Sequence, residues 1–236
     1  SQSQMWVHPD SDLWHPKDLV GKKVALSSFQ TPLSLLAKGD MKFLYGVNWE
    51  DILLLVTTDE KIKFDVKEGV KLDTIGKRSD LGRMLEDGEI DAFFLPHPPH
   101  SVVSGQTAAR RLFADCKAEE INYYEKHGDF PIMHVVAIRQ SLLEKEPWVA
   151  KAAFDMFNQA KELAETFYED PNWSRLAWGR HYFEEERTLF VDDPWENGFK
   201  RNKANIERFI KYSHDQGLID AIYPAESLFT ETTLDT

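Results

Sequence analysis

Phe130-Pro131-Ile132-Met133-His134-Val135-Val136-Ala137-Ile138-Arg139 is an almost unbroken apolar and β-branched run with one histidine near its start. That composition predicts a buried strand. Pro131 has no N–H to give to a ladder, so it can open the strand but not sit inside it, which places His134 near an edge or mouth. A buried strand gains nothing from an imidazole that has no partner or task. His134 therefore reads either as a core histidine satisfied by a backbone carbonyl or as a functional group.

Upstream, strand and helix patterns alternate. Met5-Trp6-Val7 reads as a strand, Val24-Ala25-Leu26 as a second after the turn at Gly21, and Trp49 to Val56 as a third, apolar enough to be buried on both faces. Leu33 to Leu44 has helical spacing, and a shorter helix is expected from Arg78 to Asp87 with Ser79 as its cap. Ile90 to Leu95 follows as another buried strand, while 57–76 reads as a loop or edge hairpin. This order predicts a parallel α/β lobe whose ligands collect beyond the carboxyl ends of its strands. Ser28-Phe29-Gln30-Thr31 lies at one such end. Thr31 before Pro32 is a good N-cap pair, and the free N–H groups of the helix start suit a carboxylate or phosphate. Pro96-His97-Pro98-Pro99-His100 lies at another, where the prolines hold the imidazoles in place.

Downstream, Ala118 to Lys126 carries Tyr123 and Tyr124, and Glu144 to Tyr168 is the longest helix, with Pro147 in its first turn. Helices are also expected over Arg175 to Leu189 and Asn202 to His214, the latter stopped by Gly217.

At 236 residues the chain suits two lobes or one large α/β domain. Its net charge of −12 argues against a nucleic-acid surface, which needs clustered Lys and Arg, but not against an anionic small molecule that feels only its local pocket. Cys116 is the single cysteine, so an intramolecular disulfide is excluded. No apolar run reaches membrane-spanning length and no signal-peptide pattern is visible, so a cytoplasmic location without membrane contact is expected. Gly-rich phosphate loops, GxSxG elbows, zinc-protease helices and paired CxxC motifs are absent.

Two sets of residues carry a resemblance. Pro16-x-Asp18-Leu19-x-Gly21-Lys22-x-Val24, Gly88-Glu89-Ile90-Asp91-Ala92 and the apolar run crossing back resemble the type II periplasmic-binding-protein fold. The other set comprises Phe130-Pro131-Ile132-Met133-His134, Pro147-Trp148-Val149-Ala150, Tyr212-Ser213-His214-Asp215-Gln216-Gly217-Leu218, Leu228-Phe229 and Thr233-Leu234-Asp235-Thr236. These are similar to the 4,5-dihydroxyphthalate decarboxylase family, cytoplasmic enzymes on that fold. The pattern departs from the family at Pro96-His97-Pro98, where an arginine is expected in the second position.

The resemblance implies a two-lobe α/β fold, with one lobe over 16–128 and the other built from 1–15 and 129–236. It also implies an N-terminal part of that second lobe upstream of the abrupt start at Ser1. The activity it implies is non-oxidative loss of CO₂ from a hydroxylated aromatic acid such as 4,5-dihydroxyphthalate, with no cofactor and no metal. On this reading His134 and His97 are catalytic, and Ser28, Phe29, Gln30, Thr31, Pro98 and Tyr124 bind substrate. Self-association is left open. Two alternatives stand beside it: a non-catalytic solute-binding protein for an aromatic or carboxylate ligand, and a metal-dependent decarboxylase or hydrolase using His97, His100 and an acidic residue.

Overall fold

The computed structural model describes residues 2–76, 80–170, 175–190 and 192–236. It divides into two compact units, one of residues 1–127 and 208–222, the other of 128–207 and 223–236. Residues 1–15, expected with the second lobe, lie in the first unit because their strand is part of its sheet.

The first unit is a six-stranded sheet. Its strands are β1 (Met5–Val7), β2 (Lys23–Leu26), β3 (Leu53–Val56), β4 (Lys71–Thr74), β5 (Ala92–Phe94) and β6 (Arg110–Arg111), in the order β4-β3-β2-β5-β1-β6. The β2 strand pairs in parallel with β3 and β5, β3 pairs in parallel with β4, and β1 runs antiparallel between β5 and β6. Apart from Lys23 at the start of β2, the central strands β2, β3 and β5 are apolar because both faces are covered. With side chains alternating along each strand, Val24, Leu26, Leu54, Val56, Ala92 and Phe94 join one core, and Ala25, Leu55 and Phe93 join the other. The first core packs on α1 (Pro32–Phe43) through Ala37 and Met41, the second on α2 (Leu81–Glu86) through Leu81 and Leu85. Ser79, the expected cap of that second helix, lies outside the described residues. Asp80 caps it instead, accepting from the Gly82 and Arg83 amides and from Ser101 Oγ at 2.7 Å. The polar stretch 71–74, expected in a loop or edge hairpin, is a parallel edge strand.

After β5 come α3 (His100–Val103) and α4 (Cys116–His127). The second half of α8 (Phe199–Asp215) also belongs to this unit and covers the side of α1 away from the sheet. The Tyr212 ring lies against Gly39 and stacks on Phe43 at 5.3 Å, and its hydroxyl donates to Asp40 Oδ1 at 3.1 Å. Gln216 donates to the Leu35 carbonyl, and Asp215 accepts from Lys42 at 2.6 Å and from Trp49 Nε1 at 2.9 Å. Gly217 has φ +74° and ends the helix, as its sequence position predicts.

The second unit is helical. It holds α5 (Gln140–Leu143), α6 (Trp148–Glu169), α7 (Gly179–Leu189) and the first half of α8. The carboxyl-terminal residues close against the start of α8: Thr236 accepts from the Lys200 amide at 2.6 Å, and the Phe199 and Phe229 rings meet at 5.1 Å. A side chain at Gly198 would meet the Thr236 backbone at 2.7 Å.

Here the structure corrects the strand expected over Phe130–Arg139. The segment has no regular secondary structure and forms no ladder among the described residues. Asn205 takes its first polar groups instead, donating to the Phe130 carbonyl at 2.5 Å and accepting from the Ile132 amide at 3.4 Å. Phe130 stacks on Trp195 at 4.9 Å, and beyond it Val135 and Val136 are 67% and 62% exposed. Apolar composition makes a stretch suited to a strand; only a neighbouring strand makes it one.

Two stability predictions follow from the packing of α1. A Cβ at Gly39 would stand 1.9 Å from the Tyr212 ring. Gly39→Ala will therefore destabilise the protein by about 1–3 kcal/mol despite alanine's better helix propensity. Urea unfolding reads this, and the penalty must shrink when Tyr212 is also replaced by alanine.

Burial raises the Asp40 carboxyl from 3.8 to about 6. The folded protein thus holds this proton more tightly than the unfolded chain does. The stability tied to it is present below about pH 4 and is lost as pH rises through about 6. Asp40→Asn keeps an acceptor for Tyr212 and removes the titration. Its stability relative to the native protein should rise by roughly 2–3 kcal/mol between pH 4 and pH 7; a constant difference across that range would contradict the assignment.

Candidate functional site

Leu26 is the register partner of both Val56 and Phe94, so the segments after β2, β3 and β5 leave the sheet side by side at the carboxyl ends of parallel strands. These are 27–31, 57–60 and 95–98, and two of the expected clusters, Ser28–Thr31 and His97–Pro98, share that end. Ser27 anchors the first two segments, its carbonyl accepting from the Thr57 and Thr58 hydroxyls at 3.2 and 2.8 Å.

The turn at 28–31 leads into α1 through Thr31 and Pro32, as the Thr-Pro pair predicts. Thr31 does not cap the helix with its side chain, however. Its hydroxyl donates to Ser34 Oγ at 2.7 Å and does not bond a helix N–H. Phe29 points its ring into the core, 1% exposed, against Trp49 and Phe64, so only its main chain serves the turn. The Phe29 and Gln30 amides both donate to the Glu60 carboxylate, at 2.5 and 3.3 Å. The two amides ahead of the helix thus hold a carboxylate of the protein itself.

Beneath lies Lys38, 1% exposed, its ammonium over the Phe29 ring and donating to the Phe29 carbonyl at 2.9 Å. Burial holds the Lys38 amine well below its ordinary pKa, an effect the Glu60 charge opposes. The sequence carried a sign of this lysine: it stands three residues from both Leu35 and Met41, on the buried stripe of its helix. Glu60 carried none, standing thirty residues from the turn in a polar stretch.

His97 is exposed at the end of β5, and His100 is the first residue of α3. Among the described residues no group of three or more His, Cys, Asp or Glu could hold a metal ion, so the set required by the metal-dependent alternative does not form there. Tyr124 is half-buried on α4, next to Tyr123, whose hydroxyl accepts from Arg208 at 3.0 Å. His134 lies in the second unit on the irregular segment 130–139, exposed; it is not a core histidine. A recess of about 350 Å³ lined by His8, Asp12, Lys22, Glu86 and Asp91 is at the opposite, amino-terminal end of β2 and β5 and includes none of the expected site residues.

No family model matches the chain. It is 29% identical over 242 residues to a 4,5-dihydroxyphthalate decarboxylase of Comamonas testosteroni, a match covering 99% of this chain and 73% of that protein. Among solved structures it is similar to the periplasmic aliphatic sulphonate binding protein SsuA of Escherichia coli, with a TM-score of 0.51 and 13% identity over 98% of this chain and 67% of that one. The periplasmic sulfonate-binding protein of Methylobacillus flagellatus gives a TM-score of 0.50 and 13% identity, over 96% and 62% of the two chains. The fold is therefore of the periplasmic-binding-protein kind, and across nearly its whole length the sequence resembles a 4,5-dihydroxyphthalate decarboxylase.

Proposed function

We propose that the protein is a carboxy-lyase that removes CO₂ without oxidation from a hydroxylated aromatic acid, with 4,5-dihydroxyphthalate as the leading substrate. The observation that carries this is the similarity to a decarboxylase over 99% of the chain. The turn at 28–31 supports it, since a carboxylate already sits on the Phe29 and Gln30 amides.

The reaction needs a proton delivered to the ring carbon bearing the carboxylate, and ring hydroxyls that feed electron density toward it. On this reading the His134 imidazolium protonates that carbon. The carbon–carboxylate bond then breaks, its electron pair returns to the ring, and neutral CO₂ leaves. The imidazole regains a proton from solvent, so one proton is consumed for each CO₂ released. Histidine suits the step because its unperturbed pKa lies near working pH. His97 grips the second carboxylate or a ring hydroxyl, Pro98 stiffens the backbone that carries it, and Tyr124 hydrogen-bonds or stacks on the ring. Ser28, Gln30 and Thr31 hold the first anionic group at the start of α1. A cytoplasmic location belongs to the same proposal.

The second reading is a solute-binding protein, favoured by the fold neighbours, which bind sulfonates without chemistry implied by their names. The two differ in one measurement. Incubation of the full-length protein with a panel of hydroxylated phthalates and benzoates, with and without chelator, will release CO₂ if the first reading holds; tight binding without release would establish the second. His134→Ala should lower turnover by about 10²- to 10⁴-fold. Its unfolding transition should stay unchanged, because the residue is exposed; near-native turnover would remove it from the mechanism.

A further inference from the structure

The segment 57–67 is built as a strap across the 28–31 turn. Thr57 and Thr58 hold the Ser27 carbonyl, Gln30 Nε2 donates to the Ile62 carbonyl at 2.6 Å, and Phe64 stacks on Phe29 at 4.9 Å. Lys67 fastens the far end by donating to the Asp215 carbonyl at 2.7 Å. Between these anchors Glu60 delivers its carboxylate to the Phe29 and Gln30 amides. Lys61, Ile62 and Lys63, just beyond it, are exposed.

A second feature points to an anion at this place. Lys38 is almost wholly buried, and its Nζ lies over the Phe29 ring and donates to the Phe29 carbonyl at 2.9 Å, directly behind the two amides. Two amides converging above a buried lysine side chain make a surrounding suited to an anionic acceptor. Glu60 supplies that acceptor from within.

We infer that Glu60 is a resident placeholder: its carboxylate occupies the amide pair of Phe29 and Gln30 in place of a substrate carboxylate, and an aromatic carboxylic acid binds by displacing it and lifting the strap. This rests on the reading of the 28–31 turn as the seat of the substrate's anionic group. The exchange is of one carboxylate for another on the same donors. The apparent affinity for a ligand is therefore reduced by the fraction of molecules in which Glu60 is seated, and weakening the seat tightens binding without any new contact.

Phthalate, which lacks the ring hydroxyls, is the probe, so binding is read without turnover. Glu60→Gln keeps the shape of the side chain and removes its charge. Phthalate should bind this variant roughly fivefold or more tightly than the native protein, and in ¹⁵N–¹H spectra the Phe29 and Gln30 amides should move on titration. On the native protein phthalate should also speed tryptic cleavage after Lys61 or Lys63, as the strap leaves its seat. Equal or weaker binding by a folded Glu60→Gln variant would overturn the inference. So would amide resonances at 29 and 30 that stay in place, or cleavage that slows or does not change. If phthalate moves those amides while no hydroxylated phthalate releases CO₂, the placeholder stands and the decarboxylase reading falls.

Discussion

Helix α1 has almost no face left for water, and much of the first unit follows from that. Nine of its twelve residues are buried, including Lys38 and Asp40. The sheet covers one side and the second half of α8 the other. An ionisable group in such a place must find its partners inside the protein or change its charge state. Asp40 does both, accepting from Tyr212 and binding its proton more tightly than an ordinary carboxyl. Lys38 turns to the Phe29 carbonyl and thereby fixes the turn that precedes the helix. The close approach of α8 that buries Asp40 is possible because residue 39 is glycine, with the Tyr212 ring where a side chain would be.

The same constraint explains the cluster at the far end of α8. Asp215 is held below the ordinary carboxylate range: burial opposes ionisation, but hydrogen bonds from Lys42 and Trp49 outweigh it. Trp49 is wholly buried and needs an acceptor for its indole N–H, and Lys42 brings the compensating charge. The residues Tyr212 to Leu218, which in the sequence mark a family resemblance, therefore serve in the structure as the return contact that closes the first unit over α1.

What the sequence made legible was local. The β2, β3 and β5 strands are short apolar runs, α1 has its proline at the start, and Gly217 ends α8; each of these is written within a few residues. The β4 strand was not legible, because Lys71–Thr74 is polar and exposed and is a strand only by pairing with Leu53–Val56. Phe130–Arg139 fails in the opposite direction. Its composition is that of a buried parallel strand, yet the six strands of the sheet all come from the first unit, and Asn205 takes the polar groups at its start. The site divides in the same way. The turn at 28–31 is visible as a strand followed by Thr-Pro, whereas its carboxylate comes from a polar loop with no pattern of its own, and only the fold brings Glu60 there.

The presence of that carboxylate bears on how such a turn can exist at all. Two backbone amides converging above a buried lysine would be costly to leave without an acceptor, on the order of 1–3 kcal/mol for each unsatisfied group. The Glu60 carboxylate satisfies both, and the strap that carries it is otherwise held by hydroxyls, an amide side chain, a ring contact and one lysine. A carboxylate in the core would hold the turn just as well and would never leave. Placing it on a surface segment gives both amides an acceptor from within the protein; on the inference drawn above, the same two amides also receive the ligand.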